Sequence, residues 1–194
     1  MANQGGSTTF NTFAYLRAGA VSLFQSATEQ PEGSGYCRVA AVLFATFSIE
    51  ATLNHIGEEK LPDWSIVERR LSWKDKLELI DCRLNMGIDR GQRPFQALHE
   101  LFQFRDRLAH GKTQTRTFTI QVDDWHSGIS DPEWLARFQR ADQLNRVRED
   151  TDAMIEFLLE KASMPPLVSY PIATGGFVVE QRPGADRIFP DDTI

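Results

Sequence analysis

With 194 residues, 41% of them hydrophobic and thirteen of them Phe, the chain carries enough apolar surface to bury one core. A formal charge of −6 argues against a protein that coats nucleic acid or an anionic membrane over its whole surface. Cys37 and Cys82, without C-x-x-C spacing, exclude a disulfide framework or zinc site and read as reduced, buried thiols.

The N-terminus, MANQGGSTTF, lacks a basic stretch followed by an apolar one, and no apolar run approaches the ~18 residues of a membrane span. The expectation is a cytoplasmic protein without membrane contact. Residues 8–29 place Phe10, Phe13, Leu16, Ala20, Leu23 and Phe24 near a helical period, and PEGSG at 31–35 ends that helix. The next run, 36–56, is apolar on nearly every side, as a central bundle helix is, with Glu50 as the interruption. Asp63 is placed to cap a short helix reaching Arg70. Ser72 and Asp75 match the reciprocal capping pattern for a helix to about Leu84, and MGIDRGQ at 86–92 reads as a loop. Trp64, Trp73 and Trp134, at helix starts, read as packing anchors rather than surfaces on which bases stack.

Pro94 suits the first turn of a further helix and Gly111 the left-handed position past its end. Residues 113–122, TQTRTFTIQV, switch to alternation and predict a short extended segment. Asp131 and Pro132 then open a helix whose apolar period persists to Ala162, implying about 45 Å of continuous helix. The tail from Met164, with five prolines and TGG, predicts irregular structure and a short strand at 177–179. The expected architecture is all-α: an up-and-down bundle over 1–163 with one long C-terminal helix, and a Pro/Gly-rich tail over 164–194.

One stretch, FQFRDRLAHGK at 102–112, carries the chemistry. The apolar stripe runs Phe95, Leu98, Phe102, then Arg105, then Ala109, so Arg105 points inward. A guanidinium cannot shed its charge, so it needs an anionic partner, either protein or a bound phosphate. His99, Gln103, Asp106 and His110 fall on an adjacent face, with Asp106 about 40° around from His110 and one turn away. A carboxylate there would orient the imidazole. Arg105 and His110 are about 140° apart on an ideal helix, so they meet only if the helix frays or the arginine wraps round. Residues 90–118 form a basic patch: Arg90, Arg93, Arg105, Arg107, Lys112 and Arg116 against Glu100 and Asp106. His55 and His99 lack metal-ligand spacing and read as satisfied structural histidines, while His126 carries no signal.

The segment RDRLAH, an arginine followed after four residues by a histidine, resembles the signature of HEPN domains, and the apolar helix SIEATLNHI at 48–56 with its embedded acid is similar too. The resemblance covers 36–56 and 94–112, about a fifth of the chain. It implies a HEPN-like helical bundle and a metal-independent endoribonuclease, toxin or defence related, whose site is shared between the protomers of a homodimer. Arg105 would then hold the scissile phosphate, His110 act as general acid or base, and Asp106 orient it. Arg107 and Lys112 would bind substrate RNA, with Glu50 behind Arg105; no metal and no cofactor are implied. A partner antitoxin is a further expectation, although the branch that works with a nucleotidyltransferase antitoxin commonly has a tyrosine where this chain has Lys112. The other class is a noncatalytic HEPN dimer that binds a partner protein or a nucleotide, with the long 131–162 helix as its interface and Arg105 a structural arginine paired to Glu50.

Overall fold

The structure, a computed structural model, describes residues 5–30, 32–113, 115 and 131–178. They are mainly helical: α1 (Thr12–Glu29), α2 (Gly35–Lys60), α3 (Trp64–Val67), α4 (Trp73–Leu84), α5 (Leu98–Ala109), α6 (Glu133–Ala136) and α7 (Ala141–Lys161). One small sheet accompanies them, in which β1 (Gly5–Phe10) pairs antiparallel with β2 (Ala173–Val178).

The centre of the bundle is α2. Its wide buried face includes Ala41, Val42, Ala45, Ile49, Leu53 and Ile56, and α1, α4, α5 and α7 all pack against it. Three hydroxyls buried on the same helix are satisfied by back-bonding: Thr46 donates to the Val42 carbonyl, Ser48 to Ala45 and Thr52 to Ser48, all within 2.8 Å. By length and mean hydropathy α2 is apolar enough to cross a membrane, although no uninterrupted apolar run suggested it; half of that window is buried inside the bundle. Helix α1 runs antiparallel to α2, since Gly19 lies opposite Phe44 while Phe13 stacks on His55 at 4.9 Å. A Cβ at Gly57 would come within 2.2 Å of the Trp64 indole, so glycine there lets a fully buried tryptophan lie flat against α2.

Local capping behaves unevenly. Asp75 N–H donates to Ser72 Oγ at 3.3 Å and Ser72 N–H to Asp75 Oδ2 at 3.1 Å, the expected box at the start of α4. Asp63 does not cap α3 with its side chain; it sits in the left-handed region at φ 64. Pro94 precedes a 3₁₀ turn, Phe95–Ala97, and α5 itself begins at Leu98. Gly111, by contrast, does not take the left-handed position expected of it. A Cβ there would lie 2.5 Å from the Arg107 carbonyl, so the glycine answers a close approach of backbone.

The continuous helix expected over 131–162 is broken. Helix α6 passes into a 3₁₀ turn, Arg137–Gln139; Arg140 is extended at ψ 134, and α7 starts afresh at Ala141. Arg38 of α2 donates to the Gln139 carbonyl at 2.5 Å, satisfying an oxygen that the break frees. Helix α7 is thereby about 31 Å long, and a separate short wall precedes it.

The first helix starts at Thr12 and not at residue 8, because 5–10 are strand. The partner strand is Ala173–Val178, ahead of the expected 177–179. Asn11 joins the two ends: its N–H donates to the Ile172 carbonyl at 2.9 Å and its amide to the Pro171 carbonyl at 2.6 Å. Leu167 is buried and Tyr170 meets Phe13 edge-on at 4.9 Å, so the Pro-rich segment packs on the bundle as far as the sheet. The extended segment expected at 113–122 lies almost wholly outside the described residues. Cys82 is exposed and Cys37 half-buried, in contrast to the buried thiols expected; Cys82 falls on the solvent side of α4, away from Leu77 and Ile80.

Candidate functional site

Helix α5 presents two different faces near its end. Leu98, Leu101, Phe102 and Phe104 are buried, a wider stripe than the spacing implied, whereas Ala109 is exposed because the last turn projects beyond the core. Phe102 lies between Trp73, stacked on it at 4.2 Å, and the Arg105 guanidinium, 4.8 Å from its ring centre.

Arg105 points inward and finds protein anions. Its Nη1 donates to Glu50 Oε2 at 2.5 Å, while Nε and Nη2 donate to Asp106 Oδ1 at 3.0 and 2.8 Å. Its side chain is 20% exposed. Glu50 also receives Lys76 of α4 at 3.5 Å. Lys76, Glu50, Arg105 and Asp106 thus form a chain of alternating charge linking α4, α2 and α5. Lys76 went unpredicted, although its place in the stripe Trp73, Lys76, Leu77, Ile80 is the same kind of signal that drew attention to Arg105. Its side chain is almost fully buried, and Glu50 is its sole ion-pair partner among the described residues.

Asp106 is consequently turned toward Arg105 and not toward His110. The His110 imidazole, at the C-cap of α5, is exposed and has no hydrogen-bond partner among the described residues. It lines an open cleft with Gln103, Asp106, Arg107, Lys112 and Trp134. Arg105 is not among the residues lining that cleft. The structure therefore brings together four of the expected residues (Asp106, Arg107, His110, Lys112), and places Arg105 and Glu50 behind them.

Charge pairing sharpens the basic patch. Arg90 binds Glu78 at 2.5 Å and Arg93 binds the buried Asp150 at 2.7 Å, while Arg105 is held as described. Arg116 lies outside the described residues. Arg107 and Lys112 remain without a carboxylate partner among the described residues, and both border the cleft. The partial negative charge at a helix C-terminus favours cations there.

The opposite wall of the cleft comes from the broken helix. Trp134 of α6 packs against Phe104 at 5.9 Å, and the Arg107 guanidinium lies over its ring at 5.9 Å. Phe138 anchors the wall on Phe104 at 4.5 Å. Trp134 was expected to anchor packing; it does so and also faces the cleft, a placement that depends on the break at Arg140.

Two histidines lie elsewhere. His99 shares a 2.8 Å hydrogen bond with Gln103. His55 is stacked on Phe13, and its Nε2 is buried without a partner, contrary to the satisfied histidine expected. Burial holds its pKa below the ordinary value, against the opposing pull of Glu59.

Comparison of the chain with protein-family models, with curated proteins and with solved structures finds no match.

Proposed function

We propose that the chain is a HEPN-like bundle acting as a metal-independent endoribonuclease. The observation that carries this reading is the exposed His110 imidazole, without a hydrogen-bond partner among the described residues, sharing a cleft with Arg107 and Lys112, which have no ion-pair partner among those residues. RNA cleavage by its own 2′-hydroxyl needs a group that can take and return a proton, and fixed positive charge at the phosphate oxygens. His110 takes the proton from the 2′-hydroxyl or gives one to the departing 5′-oxygen. Arg107 and Lys112 hold the phosphate. In this reading Arg105 is a positioning residue. Bound to Glu50 and Asp106, it fixes the last turn of α5 from within and does not touch the phosphate of its own protomer.

A homodimer would let a second His110 supply the opposite proton transfer, and a toxin-like or defence role in the cytoplasm, with an antitoxin as protein partner, belongs to the same proposal. The second reading, a noncatalytic dimer that binds a protein or a nucleotide, is favoured by one specific observation. Asp106 is engaged by Arg105, which leaves His110 with no orienting carboxylate among the described residues.

The test is a labelled RNA incubated with purified protein in EDTA, comparing native protein with His110→Ala, Arg107→Ala and Arg105→Ala. Cleavage to 2′,3′-cyclic phosphate and 5′-hydroxyl ends, lost in His110→Ala and reduced at least tenfold in Arg107→Ala, is the expected result. Equal cleavage by native protein and His110→Ala overturns the catalytic reading, and binding without cleavage by all four proteins selects the second.

A further inference from the structure

We infer that the cleft takes an unpaired nucleobase against the Trp134 indole, with the adjoining phosphates on Arg107 and Lys112, so that its ligand is single-stranded RNA. The inference rests on the proposed function for its ligand class and goes beyond it in naming the base-binding wall.

Three features carry it. Trp134 offers the largest flat apolar surface among the described residues lining the cleft, and it is partly exposed there. Phe104 meets it edge-on at 5.9 Å and the Arg107 guanidinium lies over its ring at 5.9 Å, an arrangement that pairs a π face with a planar cation. Nucleobases released from a duplex stack on such aromatic and guanidinium planes, whatever their identity, while a charged groove tracks the backbone. The two cations, which have no carboxylate partner among the described residues, stand on the α5 side of the cleft and the indole on the α6 side. One nucleotide, with its base and phosphate on opposite sides of the sugar, bridges them. A double helix does not, because its bases are already stacked on one another and its major groove is too narrow for side chains to enter.

The ligand for the test is a 2′-O-methyl hexanucleotide, which lacks the attacking hydroxyl and stays intact. It is compared with an abasic strand carrying the same phosphates and with a duplex of the same sequence. Affinity is read by anisotropy and by quenching of tryptophan fluorescence, in native protein, Trp134→Leu and Trp134→Phe, each checked for its helical content and melting. The base-bearing strand should bind native protein about fivefold to a hundredfold more tightly than the abasic strand, the range that stacking of a base on an aromatic side chain gives. Trp134→Leu should bind the two strands alike, and Trp134→Phe should keep most of the preference.

Equal binding of base-bearing and abasic strands by native protein overturns the inference, as does a preference that survives in folded Trp134→Leu. Should that variant unfold, the abasic strand and Trp134→Phe decide alone. Base-dependent binding without RNA cleavage sustains this inference and sinks the endoribonuclease; cleavage without base dependence does the reverse.

Discussion

Replacing Glu50 by glutamine isolates the electrostatics of the network behind the cleft. The substitution Glu50→Gln keeps shape and volume, so no cavity opens, but it leaves the Lys76 ammonium, whose side chain is 8% exposed, without its anion. At 3.5 Å and an effective dielectric constant of about 20, the gross Lys76–Glu50 attraction is roughly 5 kcal/mol, most of which offsets the desolvation of the two charges. Removing one partner of a fully buried pair costs about 3–5 kcal/mol. Here Glu50 is 25% exposed and Arg105 retains Asp106, so the expected loss is lower, about 2 kcal/mol. For a chain of this size that lowers Tm by about 4–8 °C. Urea unfolding followed by circular dichroism measures it. Lys76→Met in the Glu50→Gln background should restore about half of the loss, because the stranded ammonium is then gone. The reasoning is refuted if Glu50→Gln is as stable as native protein, or if Lys76→Met destabilises both backgrounds equally.

Gly57→Ala forces a methyl to within 2.2 Å of the Trp64 indole, and the helix or the ring must shift; an overpacking loss of about 1–3 kcal/mol should appear as a lower urea midpoint, and an unchanged midpoint would contradict the close packing. His55 contributes a pH dependence whose sign follows from burial. Its folded pKa lies below the unfolded value of about 6.5, so the unfolded chain binds the proton first and stability falls as pH drops below about 6.5. Melting curves between pH 7.5 and 5.5 should show that fall in native protein and a flatter profile in His55→Phe, which keeps the stack on Phe13; parallel profiles would dismiss it.

What the residue pattern revealed was what neighbours in sequence decide. The apolar breadth of α2 and the Ser72–Asp75 box are local, and the structure has both. Glu50 and Arg105 each interrupt an apolar stripe, which made their contact legible as one of two alternatives for an inward arginine, a protein anion or a bound phosphate; the structure has the protein anion. The break at Arg140 was illegible. No proline or glycine marks it, the apolar period runs straight through it, and the Arg38 guanidinium that satisfies the freed carbonyl lies 101 residues away in the chain. The pairing of β1 with β2 was hidden for the same reason, since each short strand is meaningful only beside the other. In the cleft, the sequence pattern grouped Asp106 with His110 by helical spacing. It could not foresee that Arg105, one residue away, would engage the same carboxylate.

The break at Arg140 also separates two kinds of constraint on the chain. Substitutions in α7 disturb the bundle core, where Met154, Ile155, Leu158 and Leu159 are fully enclosed. The wall that bears Trp134 rests on that core through Phe138, the partly buried Trp134 and Leu135, and the Arg38 contact, while Glu133, Ala136 and Arg140 are exposed. Substitutions at its exposed positions, Glu133, Ala136 and Arg140, should therefore reshape the rim of the cleft while the enclosed core stays as it is.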